Sequence, residues 1–418
     1  MQAIKRDIYL NRLIERKENG AIKVITGIRR CGKSYLLFNL YYDYLLSCGI
    51  GKDRIIKIAL DDEEAENLTD AKTLAAFIKE RLKDENTYYV FLDEIQFVKD
   101  FEKVLNSLNR LPNLDIYVTG SNSKFLSSDI LTEFRGRGDE VRVHPLCFAE
   151  YVSAYKGSAA NAWNDYFTYG GLPQILTRST DELKTQYLTN LFQTVYLADI
   201  IERNKVRAKE TLNTLVNVLA SSIGSLTNPR KLAAVFAHSG DKEVTDKTVG
   251  VYLDYLTDSF LINKAERYGI KGKKYIASPY KYYFEDVGLR NARLNFRQQE
   301  ENHIMENIIY NELLVRGYNV DVGIVDCYDK DEQGKQILKR REVDFVCNKG
   351  SRRYYVQSAF AIPDDEKMAQ EKMSLVKIKD SFKKIIVVKD NIKLWRTEDG
   401  IVVMGLQEFL LNRNSLEL

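Results

Sequence analysis

Residues 27–34 are the stretch of the chain whose types and spacing most directly predict a chemistry. They read G-x-x-x-x-G-K-S, with glycine at the first and sixth positions. Glycines let a backbone curl until its N–H groups converge on a small anion, and a helix starting at the loop adds its dipole. The lysine would neutralise the β- and γ-phosphates of ATP, and the serine hydroxyl would coordinate Mg²⁺. The predicted nucleotide-binding residues are Gly27, Ile28, Arg29, Arg30, Cys31, Gly32, Lys33 and Ser34.

A pair of carboxylates, Asp93 and Glu94, follows the apolar run at residues 88–92. Such a pair supplies the second half of an ATPase site, because one acid holds Mg²⁺ and the other orients and activates the attacking water. Both acids must then emerge at a strand end beside the phosphate loop. We predict Ser34 and Asp93 as magnesium ligands and Glu94 as a catalytic residue. The alternative is a strand that simply ends in solvent.

The elements that must position these residues follow from the neighbouring patterns. Residues 21–26 form a short apolar, β-branched run typical of a buried strand, and residues 35–46 contain no helix breaker. Further strands are predicted at residues 54–60, 88–94, 114–122 and 140–143, and helices at residues 70–83 and 101–111. The phosphate loop is therefore predicted to lie between a strand and a helix, which is the context that it requires.

The predicted strand at residues 114–122 ends in small polar side chains. A hydroxyl or amide at this place suits a position between the two carboxylates and the γ-phosphate. We assign Ser121 to this catalytic sensing role, with Thr119 and Asn122 as alternatives. For Asn122, a role as helix cap is equally natural.

Two arginines, Arg135 and Arg137, lie on the glycine-rich turn at residues 134–139. They are predicted to supply an arginine finger to a phosphate, an interaction worth roughly a thousandfold or more in hydrolysis rate. A solvated turn is the alternative. The prediction leaves open which arginine acts and whether it acts in cis or in trans, where action in trans requires a homo-oligomer.

These motifs, together with H-P-L-C-F-A-E-Y at residues 144–151, resemble the prokaryotic AAA+ ATPases that carry a C-terminal domain of unknown function. In that family the last stretch usually reads P-L-S-F-x-E-[FY], so Cys147 replaces a serine outside the phosphate chemistry. The resemblance implies an α/β fold: a P-loop NTPase (AAA+) parallel sheet with a helical lid, then a winged-helix-like domain and an α/β nuclease-like domain. The implied limits are 1–145 for the ATPase core, 146–208 for the lid, 209–280 for the winged-helix-like domain and 281–418 for the nuclease-like domain.

The winged-helix resemblance rests on three predicted helices, at residues 210–223, 228–236 and 245–258, followed by two β-like stretches. The third helix carries mostly acidic charges, which is poor for phosphate contact. The hairpin between the β-like stretches gathers four cations and two aromatic residues. We predict DNA contact through this hairpin, with an ordinary solvated turn as the alternative. The four cations are Arg267, Lys271, Lys273 and Lys274.

The last predicted elements resemble the PD-(D/E)XK nucleases, in which acids on a helix and a strand, and an E-x-K on the next strand, bind Mg²⁺ and polarise water or phosphate. Glu306 and Asp344 match two of these positions, whereas the E-x-K place begins with Gln357 and lacks the lysine. A neutral glutamine therefore stands where the family has a charged metal ligand. The resemblance implies a nuclease-like fold whose active site is inactive.

Charge and composition narrow the classes of function. The chain has 62 basic and 59 acidic residues and a net charge of +3, so no global attraction to nucleic acid or membrane is predicted. Three scattered histidines argue against a zinc motif or a histidine-based triad. Five scattered cysteines without a C-x-x-C pair favour a reducing cytoplasm, and no apolar run approaches the length of a membrane span. We expect a cytoplasmic protein.

The function that these features predict is Mg²⁺-dependent ATP hydrolysis, with a nucleotide cycle coupled to DNA or a partner protein through the C-terminal domains. One alternative is a nucleotide-gated binding switch with little or no hydrolysis. A second is an ATP-regulated nuclease that uses Glu306, Asp344 and Glu342. A smaller question concerns Cys31, whose thiol lies beside Lys33 and would sense oxidation if its pKa were lowered; the simpler reading is that it fills a tolerant position.

Overall fold

A computed structural model describes residues 4–120, 134, 136–238, 240, 243–297, 300–330 and 336–418. The chain forms two compact units. The first comprises Met1–Pro145, Leu172–Gln174 and Asp258–Phe260, and the second comprises Leu146–Gly171, Ile175–Thr257 and Leu261–Leu418. No helix in the described part of the chain has the length and apolar character needed to cross a bilayer.

A five-stranded sheet forms the centre of the first unit, and all its ladders are parallel. The strand order is β2-β3-β4-β1-β5. The strands are β1 (Ile22–Thr26), β2 (Ile55–Ala59), β3 (Tyr88–Asp93), β4 (Leu114–Thr119) and β5 (Gly138–Arg142). Strands β1, β3 and β4 are buried along their whole length, as apolar strands covered on both faces are. The mixed α/β fold with a parallel sheet is confirmed, and the carboxyl ends of β1, β3 and β4 meet at one edge.

Within the described residues, the first unit contains the helices α1 (Asp7–Glu15), α2 (Lys33–Tyr35), α3 (Tyr42–Ser47), α4 (Ala71–Lys79) and α5 (Phe101–Leu108). A π-helical turn at Leu36–Tyr41 joins α2 to α3, so the helix after the phosphate loop is continuous. Short 3₁₀ turns occupy Lys52–Arg54, Glu63–Thr69 and Ile95–Phe97. The apolar sides of α4 and α5 pack in one core with the sheet. Asp70 caps α4 by accepting the N–H of Thr73 at 2.9 Å.

Helices also follow the first sheet along the chain. They are α6 (Phe148–Ala154), α7 (Ala159–Tyr169), α8 (Asp181–Leu191), α9 (Ala198–Arg203), α10 (Lys209–Ser221), α11 (Pro229–His238), α12 (Asp246–Asp258), α13 (Val287–Arg293), α14 (Glu301–Val315), α15 (Asp365–Val376) and α16 (Leu406–Leu411). A π-helical turn at Phe192–Leu197 precedes α9, and 3₁₀ turns lie at Pro173–Thr177 and Ser415–Glu417. Residues 146–208 therefore contain helices throughout, while their role as a lid stays a prediction.

An eight-stranded sheet spans the second unit in the order β12-β13-β11-β10-β9-β8-β6-β7. The strands are β6 (Ile262–Gly269), β7 (Lys274–Phe284), β8 (Asn319–Lys330), β9 (Gln336–Lys349), β10 (Arg352–Ala359), β11 (Lys383–Val388), β12 (Trp395–Arg396) and β13 (Val402–Gly405). The hairpin β6–β7 joins this sheet because β6 pairs in parallel with β8. The predicted domain limit after residue 280 falls inside β7. Local patterns do not show a pairing between strands so far apart in sequence.

Candidate nucleotide site

The phosphate loop directly follows β1 and turns through left-handed backbone conformations. Gly27 has φ +138°, and a Cβ at this position would lie 2.1 Å from the backbone oxygen of Val143. Arg30 has φ 65° and Gly32 has φ 100°. Only glycine tolerates both the close approach and the conformation at residue 27. The glycine spacing in the sequence therefore corresponds to a real steric requirement.

Two buried basic side chains, those of Lys33 and Arg6, donate hydrogen bonds to backbone oxygens of the phosphate loop. Lys33 begins α2, is buried, and donates from Nζ to the backbone oxygens of Gly27 at 2.9 Å and Ile28 at 3.2 Å. Arg6 lies under the loop and donates to the backbone oxygens of Cys31 at 2.9 Å and His144 at 2.7 Å. Arg6 was not predicted from sequence, because a single arginine before a helix belongs to no motif.

Cys31 is fully buried, and its thiol donates to the backbone oxygen of Val143 at 3.3 Å. Redox-sensing thiols are partly exposed and electropositive in their surroundings. The burial of Cys31 argues for a packing role within the loop.

The two acids lie at the end of β3, on the same sheet edge as the phosphate loop. Asp93 is buried and accepts a hydrogen bond from the hydroxyl of Thr119, and the hydroxyl of Ser34 lies near enough to lower its pKa. Burial raises the pKa of Asp93 above its ordinary value, the two hydroxyls oppose that rise, and the charges of Glu94 and Asp61 add to it. The structure thus places the two predicted magnesium ligands, Ser34 and Asp93, near each other.

Thr119, the last residue of β4, links the two acids. Its hydroxyl donates to Asp93 and accepts the backbone N–H of Glu94 at 3.1 Å. Because β4 lies between β1 and β3, its end faces the space between the loop and the acids. The first choice for this position, Ser121, and the alternative Asn122 lie outside the described residues. Thr119, the other alternative, contacts both acids, and the assignment of the sensing role stays a prediction.

Glu94 adopts a left-handed backbone conformation with φ 51° and ψ 48°. This conformation costs a non-glycine residue about 1–3 kcal/mol, so the surrounding structure must hold it in place. The hydrogen bond from its N–H to Thr119 does so, and the side-chain amide of Gln96 donates to its carboxylate. One hydrogen bond therefore fixes the backbone of Glu94, and the other orients its carboxylate.

Arg137 lies at the opposite edge of the sheet from the phosphate loop. Its backbone oxygen accepts the N–H of Ile22 at 2.7 Å, at the start of β1, whereas the loop follows the end of β1. Five residues of strand separate the two places by about 16 Å at roughly 3.3 Å per residue. This distance favours action on another copy of the chain over action on its own phosphate. Arg135 lies outside the described residues, and the finger assignment stays a prediction.

The hairpin β6–β7 presents three of its four predicted cations to solvent. Lys271, Lys273 and Lys274 are exposed, and Tyr275 beside them is 61% exposed. Arg267 is buried instead and donates to the backbone oxygen of Ser278 at 3.3 Å. Burial also lowers the pKa of Arg267. Its predicted place among the surface cations is therefore wrong, because its strand position faces inward.

The predicted nuclease-like residues do come together. Glu306 on α14 and Asp344 on β9 share a contact with Lys281, a residue that the sequence analysis did not single out. Gln357 on β10 accepts the backbone N–H of Asp344 at 3.4 Å. Within the described ranges, no group of three or more histidine, cysteine, aspartate or glutamate side chains has an arrangement suited to a metal ion.

Two families and two curated relatives match the chain. Residues 19–152 match the family described as an AAA domain, and residues 160–300 match a domain of unknown function (DUF8612). An uncharacterized protein of Haemophilus influenzae is 34% identical over 415 residues, covering 98% of each chain. An uncharacterized protein of Methanocaldococcus jannaschii is 28% identical over 397 residues, covering 91% of this chain and 82% of the relative.

Among solved structures, the Aeropyrum pernix ORC1 protein in complex with DNA matches at 12% identity and a TM-score of 0.32, over 70% of this chain and 92% of that chain. A structural similarity with so low a TM-score does not assign a role to this chain. The family assignment rests on the AAA domain match and on the similarity to the Haemophilus influenzae protein over nearly all of both chains. The chain therefore belongs to the AAA+ family of nucleotide-binding ATPases and carries a C-terminal domain of unknown function.

Proposed function

We propose that this protein hydrolyses ATP with the help of Mg²⁺ at the edge where β1, β3 and β4 end. The observation that carries the proposal is the hydroxyl of Thr119, which donates to Asp93 and accepts the N–H of Glu94. Ser34 of the phosphate loop lies near enough to Asp93 to lower its pKa. One connected set of side chains therefore joins the residues for phosphate binding, metal binding and water activation.

The residues present fit a magnesium ion. Asp93 is a buried carboxylate, and no basic side chain of the described chain pairs with it. A hard oxygen donor with a raised pKa is stabilised when a divalent cation replaces the missing positive charge. When bound, Mg²⁺ would screen the charges of the phosphates and so favour attack on the γ-phosphorus. Asp93 and the Ser34 hydroxyl would hold it.

Each remaining residue has a role set by its position. The loop N–H groups and Lys33 bind the β- and γ-phosphates, and Arg6 keeps the loop in shape. Glu94 orients the attacking water and takes its proton at the carboxylate. Thr119 is a positioning residue, because it fixes the direction of Glu94 through the backbone.

The test is steady-state ATP turnover with Mg²⁺ for the wild type, Thr119→Val and Thr119→Ser. We expect valine to lower kcat by roughly 10- to 100-fold with little change in ATP affinity, because it leaves the N–H of Glu94 and the carboxylate of Asp93 without their partner. Serine retains the hydroxyl and should retain most of the turnover. Wild-type protein that binds ATP without turnover would refute the hydrolase and favour the nucleotide-gated switch.

We further propose that the hairpin β6–β7, together with helices α10–α12, contacts duplex DNA as a winged-helix-like element. Three exposed lysines on the hairpin and an exposed aromatic ring beside them support this proposal. Ammonium groups on a protruding turn neutralise phosphates, and an aromatic side chain packs on sugar or base. The acidic residues of α12 make the hairpin, and not that helix, the expected point of contact.

The DNA proposal predicts that changing Lys271, Lys273 and Lys274 together to glutamine weakens binding of a labelled duplex at least tenfold. The slope of log affinity against log salt should fall by up to about 2.7, which is 0.9 for each lost phosphate contact. The control carries the same charge change on exposed lysines of the first unit: Lys72, Lys79 and Lys99. Equal weakening in both variants would mean that net charge, and not the hairpin, attracts DNA.

A further inference from the structure

Lys281 sits among three carboxylates of the nuclease-like part of the chain. Its Nζ lies 2.8 Å from an oxygen of Glu306, 2.6 Å from Glu342 and 3.7 Å from Asp344. Glu306 belongs to α14 and the other two acids to β9, so this ammonium joins three elements of the second unit. We propose that Lys281 is a tethered cation that takes the place of a divalent metal ion, and that removing it turns the cluster into a metal site.

The cluster is too buried for its acids to remain without a counter-charge. The side chain of Lys281 is 4% exposed, and those of Glu306 and Asp344 are 13% and 10% exposed. Burial lowers the pKa of Lys281, but the three carboxylates raise it by more than burial lowers it. The net shift is upward, and the amine is charged. Burial, and next the charge of Glu306, raise the pKa of Asp344 to about 8. A single ammonium therefore serves all three acids.

The acids are also held by neutral donors. The hydroxyl of Tyr283 donates to Glu306 at 2.6 Å, and the backbone N–H of Ser358 donates to Asp344 at 2.9 Å. The backbone of Gly224 closes one side, since a Cβ there would lie 3.1 Å from a carboxylate oxygen of Glu306. These contacts keep the carboxylates in place when the ammonium is removed, which is the preorganisation that a metal site requires.

A divalent metal does not fit the cluster while Lys281 is present. The ammonium is already within hydrogen-bond distance of two of the carboxylates that would be ligands, and a metal would have to share their oxygens with a second positive charge. Lys281 therefore occupies the position that a metal ion would need in order to contact these oxygens. The inference concerns this cluster alone and does not depend on ATP hydrolysis.

The experiment replaces Lys281 by methionine, which is similar in length and uncharged, and by arginine, which retains the charge. All variants carry Asp93→Asn and are studied without nucleotide, so that the phosphate loop contributes no metal response. Mn²⁺ binding is measured by calorimetry and by thermal unfolding. In the Lys281→Met protein we expect one Mn²⁺ per chain and a rise in Tm of about 5 °C or more at 100 times the dissociation constant.

The controls assign the response to the cluster. Lys281→Arg and the parent with Lys281 should show no such rise, and Lys281→Met with Asp344→Asn should lose it. If Lys281→Met does not fold without metal, refolding yield with and without Mn²⁺ becomes the measurement, and recovery by Mn²⁺ supports the proposal. An equal Mn²⁺ response in parent and Lys281→Met, no response in Lys281→Met, or binding by the parent that Asp344→Asn removes, would overturn it.

Discussion

Glu94→Gln is expected to lower ATP turnover by roughly 10²- to 10⁴-fold while ATP binding stays close to that of the wild type. Glutamine retains the size of the side chain and its contact with Gln96, and the backbone hydrogen bond to Thr119 is unaffected. What it loses is the ability to take the proton of the attacking water. Phosphate release and nucleotide binding, measured on the same protein samples, separate these two effects.

Two further variants separate loss of ATP binding from loss of the catalytic carboxylate. Lys33→Ala should lose ATP binding itself, because Lys33 supplies the buried positive charge of the loop. Glu63→Gln makes the same chemical change at an exposed acid and should leave turnover unchanged. Wild-type turnover in Glu94→Gln would show that the carboxylate does not take part in the chemistry, and the assignment of Glu94 as the catalytic residue would fall.

Gly288→Ala is expected to destabilise the second unit by about 3 kcal/mol or more. Gly288 lies in α13, and a Cβ there would be 2.0 Å from the backbone oxygen of Tyr169, at the end of α7. The backbone has little freedom to retreat, because Asp286 accepts the N–H groups of Gly171 at 2.7 Å and Leu289 at 3.0 Å. The strain of the added methyl group therefore remains in the folded state.

The matched control is Gly250→Ala, which changes a glycine in helix α12 that has no atom within 4 Å of its would-be Cβ. This substitution should stabilise the helix by roughly 0.5–1 kcal/mol, since alanine has the higher helix propensity. Urea unfolding followed by tryptophan fluorescence suits the comparison, because Trp163 lies on α7 with Tyr169. Small, equal effects of both substitutions would show that α7 and α13 do not approach so closely.

The close contact of α7 and α13 also joins two stretches of the second unit that lie far apart in sequence. The turn at residues 170–171 and the stretch at residues 278–291 meet through Asp286, which is buried and whose pKa burial raises to about 6. Arg290 is fully buried as well and donates to the backbone oxygen of Ala220 at 2.7 Å. Asp286 and Arg290 therefore serve the packing of the second unit.

The parts of the site that were predictable from sequence are those in which chemistry and spacing are local. The phosphate loop and the Asp93–Glu94 pair are contiguous, and an apolar run before each predicts the strand that presents it. The choice between Thr119 and Ser121 was different, because it depends on which residue ends the strand. That end is set by pairing with the neighbouring strands, and a single run of β-branched residues does not define it.

Contacts between residues that are distant in sequence could not be predicted from local patterns. Lys281 lies far in sequence from Asp344, and nothing near it in the chain resembles an E-x-K motif. Arg6 likewise reaches the phosphate loop through the fold and not through a pattern. In both cases a long side chain from another element supplies the charge, and only the packing of those elements shows where it goes.

The pairing of β6 with β8 has a practical consequence for any attempt to divide this protein into pieces. A break after residue 280 would cut β7 and separate the hairpin from the strands on which it is built. The C-terminal piece would then carry β8 as a long, newly exposed sheet edge, whose free N–H and C=O groups recruit strands from other molecules. Such a fragment should precipitate or form aggregates, whereas cuts that keep β6, β7 and β8 together should stay dispersed.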